Sequence, residues 1–235
     1  MIKVIAFDAD DTLWDCQSYF MEVERQYCKL LAPYCDAEKS SASLFQTEMR
    51  NMAELGYGCK AFTLSLIENA VSVTDGRITA TELLEVMNLG RSLLHLTAEP
   101  LPEVRETLST LHTPYSTLHE NGPRLAVLTK GELLDQQNKL RRSGLEPFFS
   151  HVSIVADKTE NEYRQLCSDM GIEPSELLMV GNSFKSDIAP ALNIGAWAAH
   201  IPFHVTWAHE HAEAYEHDRL FTLSHFGELL GIVES

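Results

Sequence analysis

The 235-residue sequence lacks several features that would define its class at once. It has no run of about 18 or more apolar residues, so we expect no transmembrane helix and no membrane partner. Basic residues are few: 18 lysines and arginines stand against 34 aspartates and glutamates, a formal net charge of −16. This balance argues against a nucleic-acid partner, because nucleic acids bind to basic patches. An anionic small molecule stays open as a substrate, since a local cation can invert the field inside a cleft.

Cysteine is also scarce. The five cysteines form no CxxC pair, and their odd number fits free thiols in a reducing compartment better than a disulfide framework. The N-terminus shows no secretory pattern, because only four apolar residues separate Lys3 from Asp8. We therefore expect a cytoplasmic protein. No internal repeat is present, and the ten histidines show no metal-ligating motif.

The most informative segment is the N-terminal one, where an apolar run over 2–7 ends at two acidic residues, Asp8 and Asp10. The run predicts a buried strand. In open α/β sheets, ligands bind beyond the carboxyl ends of the strands, where both carboxylates would lie. Alternate residues of an extended chain point the same way, so the two side chains can converge. Their repulsion is tolerable mainly when a cation or a shared proton neutralises it.

The remaining pattern predicts an α/β fold with a helical insertion. Residues 16–98 show helical spacing of apolar residues without a strand, including a capping-box pattern at Thr79 and Glu82. From residue 99 onward helices alternate with strands, which implies a parallel sheet with helices on both faces. We predict a core domain of residues 1–15 and 99–235, with 16–98 as an inserted all-helical cap over the cleft. The predicted helices are Glu103–Leu111, Leu133–Ser143, Glu160–Met170 and Asp187–Asn193, and the predicted strands are Arg124–Thr129, Val152–Val155, Leu177–Val180 and Ala196–Ile201.

Polar clusters follow each of three predicted strands. Thr129 and Lys130 end the second strand, Lys158 follows the third, and the segment 181–187 follows the fourth. Because parallel strands end at one edge of the sheet, we expect these clusters beside the two N-terminal aspartates. Carboxylates, a hydroxyl, a cation and further oxygen ligands together suit phosphoryl transfer, which needs positioning and neutralisation of the equatorial oxygens.

The order and placement of these motifs resemble the haloacid dehalogenase superfamily, on its phosphatase side, over nearly the whole chain. Segment 8–12 matches the DxDx[TV] motif, Thr129 the second-motif hydroxyl, Lys158 the third-motif lysine and segment 181–187 the fourth motif. The resemblance implies a Rossmann-like, doubly wound parallel sheet core. It also implies a Mg²⁺ cofactor and hydrolysis of a small phosphorylated metabolite.

The resemblance implies a role for each matched residue. Asp8 would attack phosphorus and form an aspartyl-phosphate, which splits one difficult step into two. Asp10 would protonate the leaving oxygen and then take a proton from the hydrolytic water. Thr129 would donate a hydrogen bond to a phosphoryl oxygen, and Lys158 would neutralise charge on the phosphoryl group and on Asp8. Mg²⁺ favours oxygen ligands, and it would bind the Asp8 carboxylate, the Asp10 backbone carbonyl, Asp187 and the Asn182 position.

Two positions depart from the family pattern. Asn182 stands where the family usually has an acid, so we expect weaker Mg²⁺ binding rather than no activity, because an amide oxygen can ligate but brings no charge. Thr159 stands where many relatives have proline after the lysine.

Fold does not fix function, so other reactions must be separated by residues. Asp10 argues against dehalogenation, because halide leaves without protonation. Phosphonate hydrolysis on related scaffolds needs a cap lysine, for which Lys60 is available. A phosphosugar mutase would share every core residue named above. A non-catalytic binding module that keeps the fold is the alternative from another class, and the intact set of motif residues speaks against it.

Substrate choice is expected in the cap and beside the first two motifs. Trp14 follows the first motif, and Tyr57 and Lys60 lie in a glycine-flanked turn between predicted helices. With Thr129 and Lys130, these are the predicted substrate-binding residues. The turn fits an ordinary helix–helix loop equally well. We expect a monomer or a homodimer, and the polar segment 113–122 has no assigned role.

Overall fold

The computed structural model describes residues 1–112, 122–205, 207–210, 212–213 and 215–234. The polar segment 113–122 therefore lies outside the described residues except for Gly122. Contacts divide the chain into two compact units, Met1–Gln17 with Ala98–Ser235, and Ser18–Thr97. Within the described ranges, no helix is both long enough and apolar enough to cross a membrane.

The first unit is built on a six-stranded sheet in which every pairing is parallel. The strand order is β3-β2-β1-β4-β5-β6, so the N-terminal strand lies at the centre. The predicted α/β fold with a parallel sheet is confirmed. The strands are β1 (Val4–Phe7), β2 (Arg124–Lys130), β3 (His151–Val155), β4 (Leu177–Gly181), β5 (Trp197–His200) and β6 (Leu220–Thr222).

Alternation along β1 divides the core into two layers. Ile5 and Phe7 belong to one apolar cluster, and Val4 and Ala6 to the other, each covered by helices. All four side chains are fully buried, as expected for a strand in the middle of a two-sided parallel sheet. The helices of this unit are α5 (Val104–His112), α6 (Leu133–Ser143), α7 (Glu160–Met170), α8 (Ala189–Asn193) and α9 (Leu229–Glu234).

The local signals in the sequence account for most of these boundaries. Helix α6 ends at Gly144 and helix α7 at Gly171, and both glycines adopt the left-handed conformation that closes a helix. Helix α7 begins at a capping box formed by Thr159 and Glu162. Thr159 is the residue that replaces the common proline, so its hydroxyl and the Glu162 carboxylate fix the helix start in another way.

The second unit contains four α-helices and its own apolar core. The predicted capping box at Thr79 and Glu82 is present at the start of the fourth helix. The helices are α1 (Gln17–Leu30), α2 (Ala37–Leu55), α3 (Cys59–Val73) and α4 (Ala80–Ser92). The boundaries given above for a cap, and its role as one, stay a prediction.

Candidate active site

The polar residues that follow β1, β2 and β4 emerge at one edge of the sheet, because these three strands are parallel neighbours in register. The backbone N–H of Asp8 still donates to the carbonyl of Val180, at 2.9 Å, so the first residue after β1 remains anchored to β4. The two candidate catalytic aspartates then enter very different surroundings.

Asp8 belongs to a buried charge cluster with Lys158 and Asp187. The Lys158 ammonium contacts Asp8 Oδ1 and lies 2.6 Å from Asp187 Oδ1, and all three side chains are buried. Burial and the neighbouring charge of Asp187 raise the pKa of Asp8 to about 7, although Lys158 acts in the opposite direction. Burial lowers the pKa of Lys158, but the two carboxylates outweigh it and raise that pKa, so the lysine is a cation. The cluster carries one positive and two potential negative charges.

The other oxygen of Asp8 contacts the last residue of the first motif. Thr12 Oγ1 lies 3.1 Å from Asp8 Oδ2 and 3.3 Å from Asn182 Oδ1. The amide of Asn182 is thus brought beside the predicted nucleophile through a shared hydroxyl. The predicted residues Asp8, Lys158, Asn182 and Asp187 do meet in one cluster.

A single turn of π-helix over Phe184–Ile188 places Asp187 in this cluster. The backbone N–H of Asp187 donates to the carbonyl of Ser183, and Asp187 Oδ2 accepts the N–H of Ser183 at 2.9 Å. The carboxylate also packs directly against Gly181, where a Cβ atom would collide with it. The sequence predicted an α-helix from Asp187 and missed this wider turn, which often marks functional sites.

Asp10 is held in a separate polar network, which includes two residues that the sequence analysis did not single out, Gln136 and Lys139. Lys139 Nζ lies 2.7 and 2.6 Å from its two carboxylate oxygens, and Gln136 Nε2 donates to Oδ2 at 2.8 Å. The Trp14 indole N–H donates to Oδ1 at 2.7 Å. Burial alone would raise the pKa of Asp10, but the Lys139 charge and these hydrogen bonds lower it below its usual range. Asp10 is therefore ionised at neutral pH.

Thr129 and Lys130, which are predicted to bind the substrate, contact other groups of the protein in this structure. Thr129 is buried, and its hydroxyl donates weakly to the carbonyl of Lys130 at 3.4 Å. Lys130 Nζ lies 2.6 Å from Glu210 Oε1 and 2.7 Å from Ser186 Oγ. Glu210 also accepts from the hydroxyls of Ser183 and Ser186, so it joins the end of β2 to the fourth-motif turn. The substrate contacts of Thr129 and Lys130 stay predictions.

The remaining predicted substrate residues fall into two groups. Trp14 has only 1% of its surface exposed, and its indole N–H donates to Asp10, so it supports that carboxylate. Its substrate contact stays a prediction. Both other residues belong to the helical unit: Tyr57 lies in the turn between α2 and α3, where Gly56 and Gly58 have positive φ, and Lys60 lies in the first turn of α3. The predicted turn therefore ends before Lys60. The substrate role of Tyr57 and Lys60 stays a prediction.

The donors around Asp8 fit a hard cation. Two carboxylates and an amide oxygen offer oxygen ligands only. Burial is the main cause of the raised pKa of Asp8 and the charge of Asp187 adds to it, and a bound cation would oppose both effects. No group of three His, Cys, Asp or Glu side chains among the described residues is arranged to hold a metal ion. At position 182, where an acid would add a carboxylate beside Thr12, Asn182 offers an amide oxygen.

Comparisons with known proteins agree with the geometry. The model of the haloacid dehalogenase-like hydrolases matches residues 2–195. The chain belongs to this hydrolase family. It is 26% identical to a glyceraldehyde 3-phosphate phosphatase of Methanothermobacter thermautotrophicus over 220 aligned residues. The alignment covers 91% of this chain and 92% of the relative. The phosphatase of the same name from Methanocaldococcus jannaschii is 28% identical over 202 residues, 83% of this chain and 82% of its own.

The solved structures lead to the same family. The crystal structure of a haloacid dehalogenase-like hydrolase from Xanthomonas campestris superposes with a TM-score of 0.85 at 28% identity. The match covers 99% of this chain and 92% of that one. The family predicted from the motifs is confirmed.

Proposed function

We propose that this hydrolase is a Mg²⁺-dependent phosphatase that acts on a small phosphorylated metabolite through an aspartyl-phosphate. The observation that carries the proposal is the buried cluster of Asp8, Lys158 and Asp187 at the carboxyl end of β1, with Asn182 joined to it through Thr12. A carboxylate nucleophile with an adjacent cation is the arrangement that phosphoryl transfer requires.

Asp8 would attack phosphorus, and Lys158 would neutralise charge that builds up on the phosphoryl oxygens. Lys158 suits this role because its ammonium is already held by two carboxylates and stays charged. Thr129 would donate a hydrogen bond to a phosphoryl oxygen. Among the residues that the structure describes, its hydroxyl makes one weak hydrogen bond, so it can turn towards a ligand without losing a strong one.

Asp10 would act as the general acid and base. Its ionised state fits the second half of the reaction, in which it takes a proton from the attacking water. For the first half it must bring a proton to the leaving oxygen. A protonated Asp10 must give up one of its present donors, because the two contacts to Lys139 Nζ use both carboxylate oxygens.

A magnesium ion would be held by Asp8, Asp187, Asn182 and the backbone carbonyl of Asp10. When bound it would supply positive charge beside the phosphoryl oxygens and lower the pKa of Asp8. With an amide in place of a third carboxylate, we expect the enzyme to need more Mg²⁺ for half-maximal activity than an Asn182→Asp variant does.

Two relatives that are named for a triose phosphate support the choice of substrate class. We propose a small phosphorylated metabolite, with the helical unit as the cap that selects it. The residues proposed to meet the leaving group are Tyr57, on the glycine-flanked turn, and the exposed Lys60, in the first turn of α3.

The test measures the inorganic phosphate released from glyceraldehyde 3-phosphate and from 4-nitrophenyl phosphate. One arm contains about 5 mM Mg²⁺, enough to saturate a weak oxygen site, and the other contains EDTA. We expect turnover only with the metal. Asp8→Asn should lower kcat by about three orders of magnitude or more, because an amide cannot form the covalent intermediate. Asp169→Asn, an exposed carboxylate on α7, is the matched control and should leave kcat unchanged.

Two results would contradict the proposal. Turnover that survives Asp8→Asn would exclude Asp8 as nucleophile, and isomerisation of a sugar phosphate without net phosphate release would indicate a mutase. Acid-quenched enzyme should also carry a phosphoryl group on the peptide that contains Asp8, detected by mass spectrometry.

A further inference from the structure

The inner face of helix α6 is polar where it faces the first motif. Lys139 lies one turn after Asp135 and Gln136 on this helix, and each of the three is at most 4% exposed. A buried helix face is normally apolar, because a buried charge costs free energy unless it is paired. Apolar packing does not account for polar side chains at these buried positions, so their role depends on the groups that they contact.

The partner of Lys139 is the Asp10 carboxylate. Lys139 Nζ contacts both oxygens of Asp10 at 2.6 and 2.7 Å, while Asp135 Oδ2 and Cys16 Sγ lie farther away, each at 3.8 Å. The Lys139 side chain is 3% exposed and that of Asp10 is 27% exposed. The lysine is therefore enclosed, and the aspartate keeps one open side.

Two further donors complete the arrangement. Trp14 Nε1 donates to Oδ1 and Gln136 Nε2 donates to Oδ2, so each carboxylate oxygen has one contact besides that to Lys139. An aspartate side chain otherwise rotates freely about its last bond, since that torsion has a broad preference. Donors on both oxygens fix the plane of the carboxylate and its direction.

We propose that Lys139 is a positioning residue of the hydrolytic reaction and acts through Asp10. It aims the carboxylate so that its open side faces the leaving oxygen and the water, while Trp14 and Gln136 fix its plane. The inference rests on the proposed phosphatase function. It divides the two buried lysines between the two aspartates: Lys158 serves Asp8 and Lys139 serves Asp10.

The alternative is a purely structural ion pair, and leaving-group dependence distinguishes the two. An alkoxide leaves poorly and needs a correctly placed acid, whereas 4-nitrophenolate leaves with little protonation. Loss of positioning should therefore lower kcat/KM far more for glyceraldehyde 3-phosphate than for 4-nitrophenyl phosphate. A fold defect lowers both by the same factor.

The experiment compares Lys139→Met with Arg141→Met, which removes an exposed cation from the same helix without any contact to Asp10. We expect Lys139→Met to lower kcat/KM for the triose phosphate by at least about tenfold. The loss with the aryl phosphate should be no more than about threefold, because this leaving group needs less help. Arg141→Met should match the wild type on both substrates.

A double-mutant cycle tests whether the effect passes through Asp10. In an Asp10→Asn background, Lys139→Met should change the residual rate by less than about twofold, because the group it positions is already gone. Equal losses in both backgrounds, or equal losses on both substrates, would overturn the proposal and leave a structural ion pair.

Removing a buried cation can unfold the protein, so Trp14→Phe is the second variant. It keeps the aromatic ring and removes only the N–H that holds Asp10 Oδ1, and it should shift the same substrate ratio by a few fold. An unchanged ratio in folded Trp14→Phe and Lys139→Met would contradict positioning. Wild-type enzyme that is inactive on both substrates, on a panel of other phosphorylated metabolites and in the aspartyl-phosphate assay would instead refute the phosphatase function. This inference would then fall with it.

Discussion

Asp8 and Asp10 lie two residues apart and have opposite electrostatic surroundings. Asp8 shares its lysine with a second carboxylate, and its pKa rises to about 7, whereas Asp10 has Lys139 and two neutral donors, and its pKa falls. Pairs of acids whose pKa values are separated in this way commonly divide the work of a reaction. Here the shared lysine lies at Asp8, the proposed nucleophile, and the fixed orientation at Asp10, the proposed acid and base.

At the same scale, Gly181 is predicted to be intolerant of a side chain. Gly181→Ala places a methyl group against the Asp187 carboxylate, so that carboxylate must move. We expect a loss of about 1–3 kcal/mol in the free energy of unfolding, from overpacking. The concentration of Mg²⁺ needed for half-maximal activity should rise as well, because Asp187 is a proposed ligand. Urea unfolding and a Mg²⁺ titration of activity measure the two effects.

The matched control is Gly231→Ala in α9, where an added methyl group meets no atom within 4 Å. Alanine favours the helix there, so this variant should be neutral or slightly more stable. If Gly181→Ala behaves like Gly231→Ala in both measurements, the close approach of Asp187 to Gly181 affects neither stability nor the Mg²⁺ requirement.

At the scale of elements, the 3₁₀ turn Ala208–Glu210 is joined to the fourth-motif turn by one carboxylate. Burial would raise the pKa of Glu210, but Lys130 and the hydroxyls of Ser183 and Ser186 lower it from 4.5 to about 2. A folded-state pKa below the unfolded value means that the ionised group stabilises the protein above about pH 4.5. That stabilisation is lost as the pH falls towards about 2.

Glu210→Gln should therefore cost on the order of 2–3 kcal/mol at pH 7 and progressively less as the pH is lowered from 5 to 3, roughly where the carboxylate titrates. Chemical unfolding of both proteins at several pH values measures this difference. Glu213→Gln, an exposed carboxylate nearby, is the control and should show no such trend. A difference that stays constant with pH would mean that the ion pair adds nothing.

The sequence predicted where helices begin and end better than it predicted which of their side chains are buried. Helix α6 begins and ends where the apolar spacing and Gly144 indicated, as does α7 with Gly171. Lys139 was overlooked because a lysine on an amphipathic helix is normally solvated, and its partner is 129 residues away in the chain. The short edge strand β6 was missed too, since three residues give no clear period.

The site itself was predictable in its residues and less so in its contacts. Motif order brought Asp8, Lys158, Asn182 and Asp187 to one edge, because parallel strands end together. The sequence could not show that Trp14 faces Asp10. Contacts of that kind depend on turns such as the one at residues 9–14, whose course tertiary packing decides.

At the scale of the whole molecule, the formal charge of −16 implies self-repulsion in the folded state. Raising NaCl from about 10 to about 300 mM shortens the Debye length from about 30 to about 6 Å and screens that repulsion. We expect the unfolding temperature, measured without divalent ions, to rise by a few degrees. The same change in KCl controls for specific Na⁺ binding, and a fall in both salts would show that ion pairs outweigh the repulsion.

The central position of β1 also affects the order in which the protein can be assembled. Its residues pair with β2, which starts at Arg124, and with β4, which starts at Leu177. During synthesis this apolar strand leaves the ribosome long before either neighbour exists. Contacts between such distant segments form slowly, and unpaired apolar strands are prone to aggregate while they wait. The strand that leads to Asp8, the proposed nucleophile, is thus a segment of the nascent chain that a chaperone would protect from aggregation.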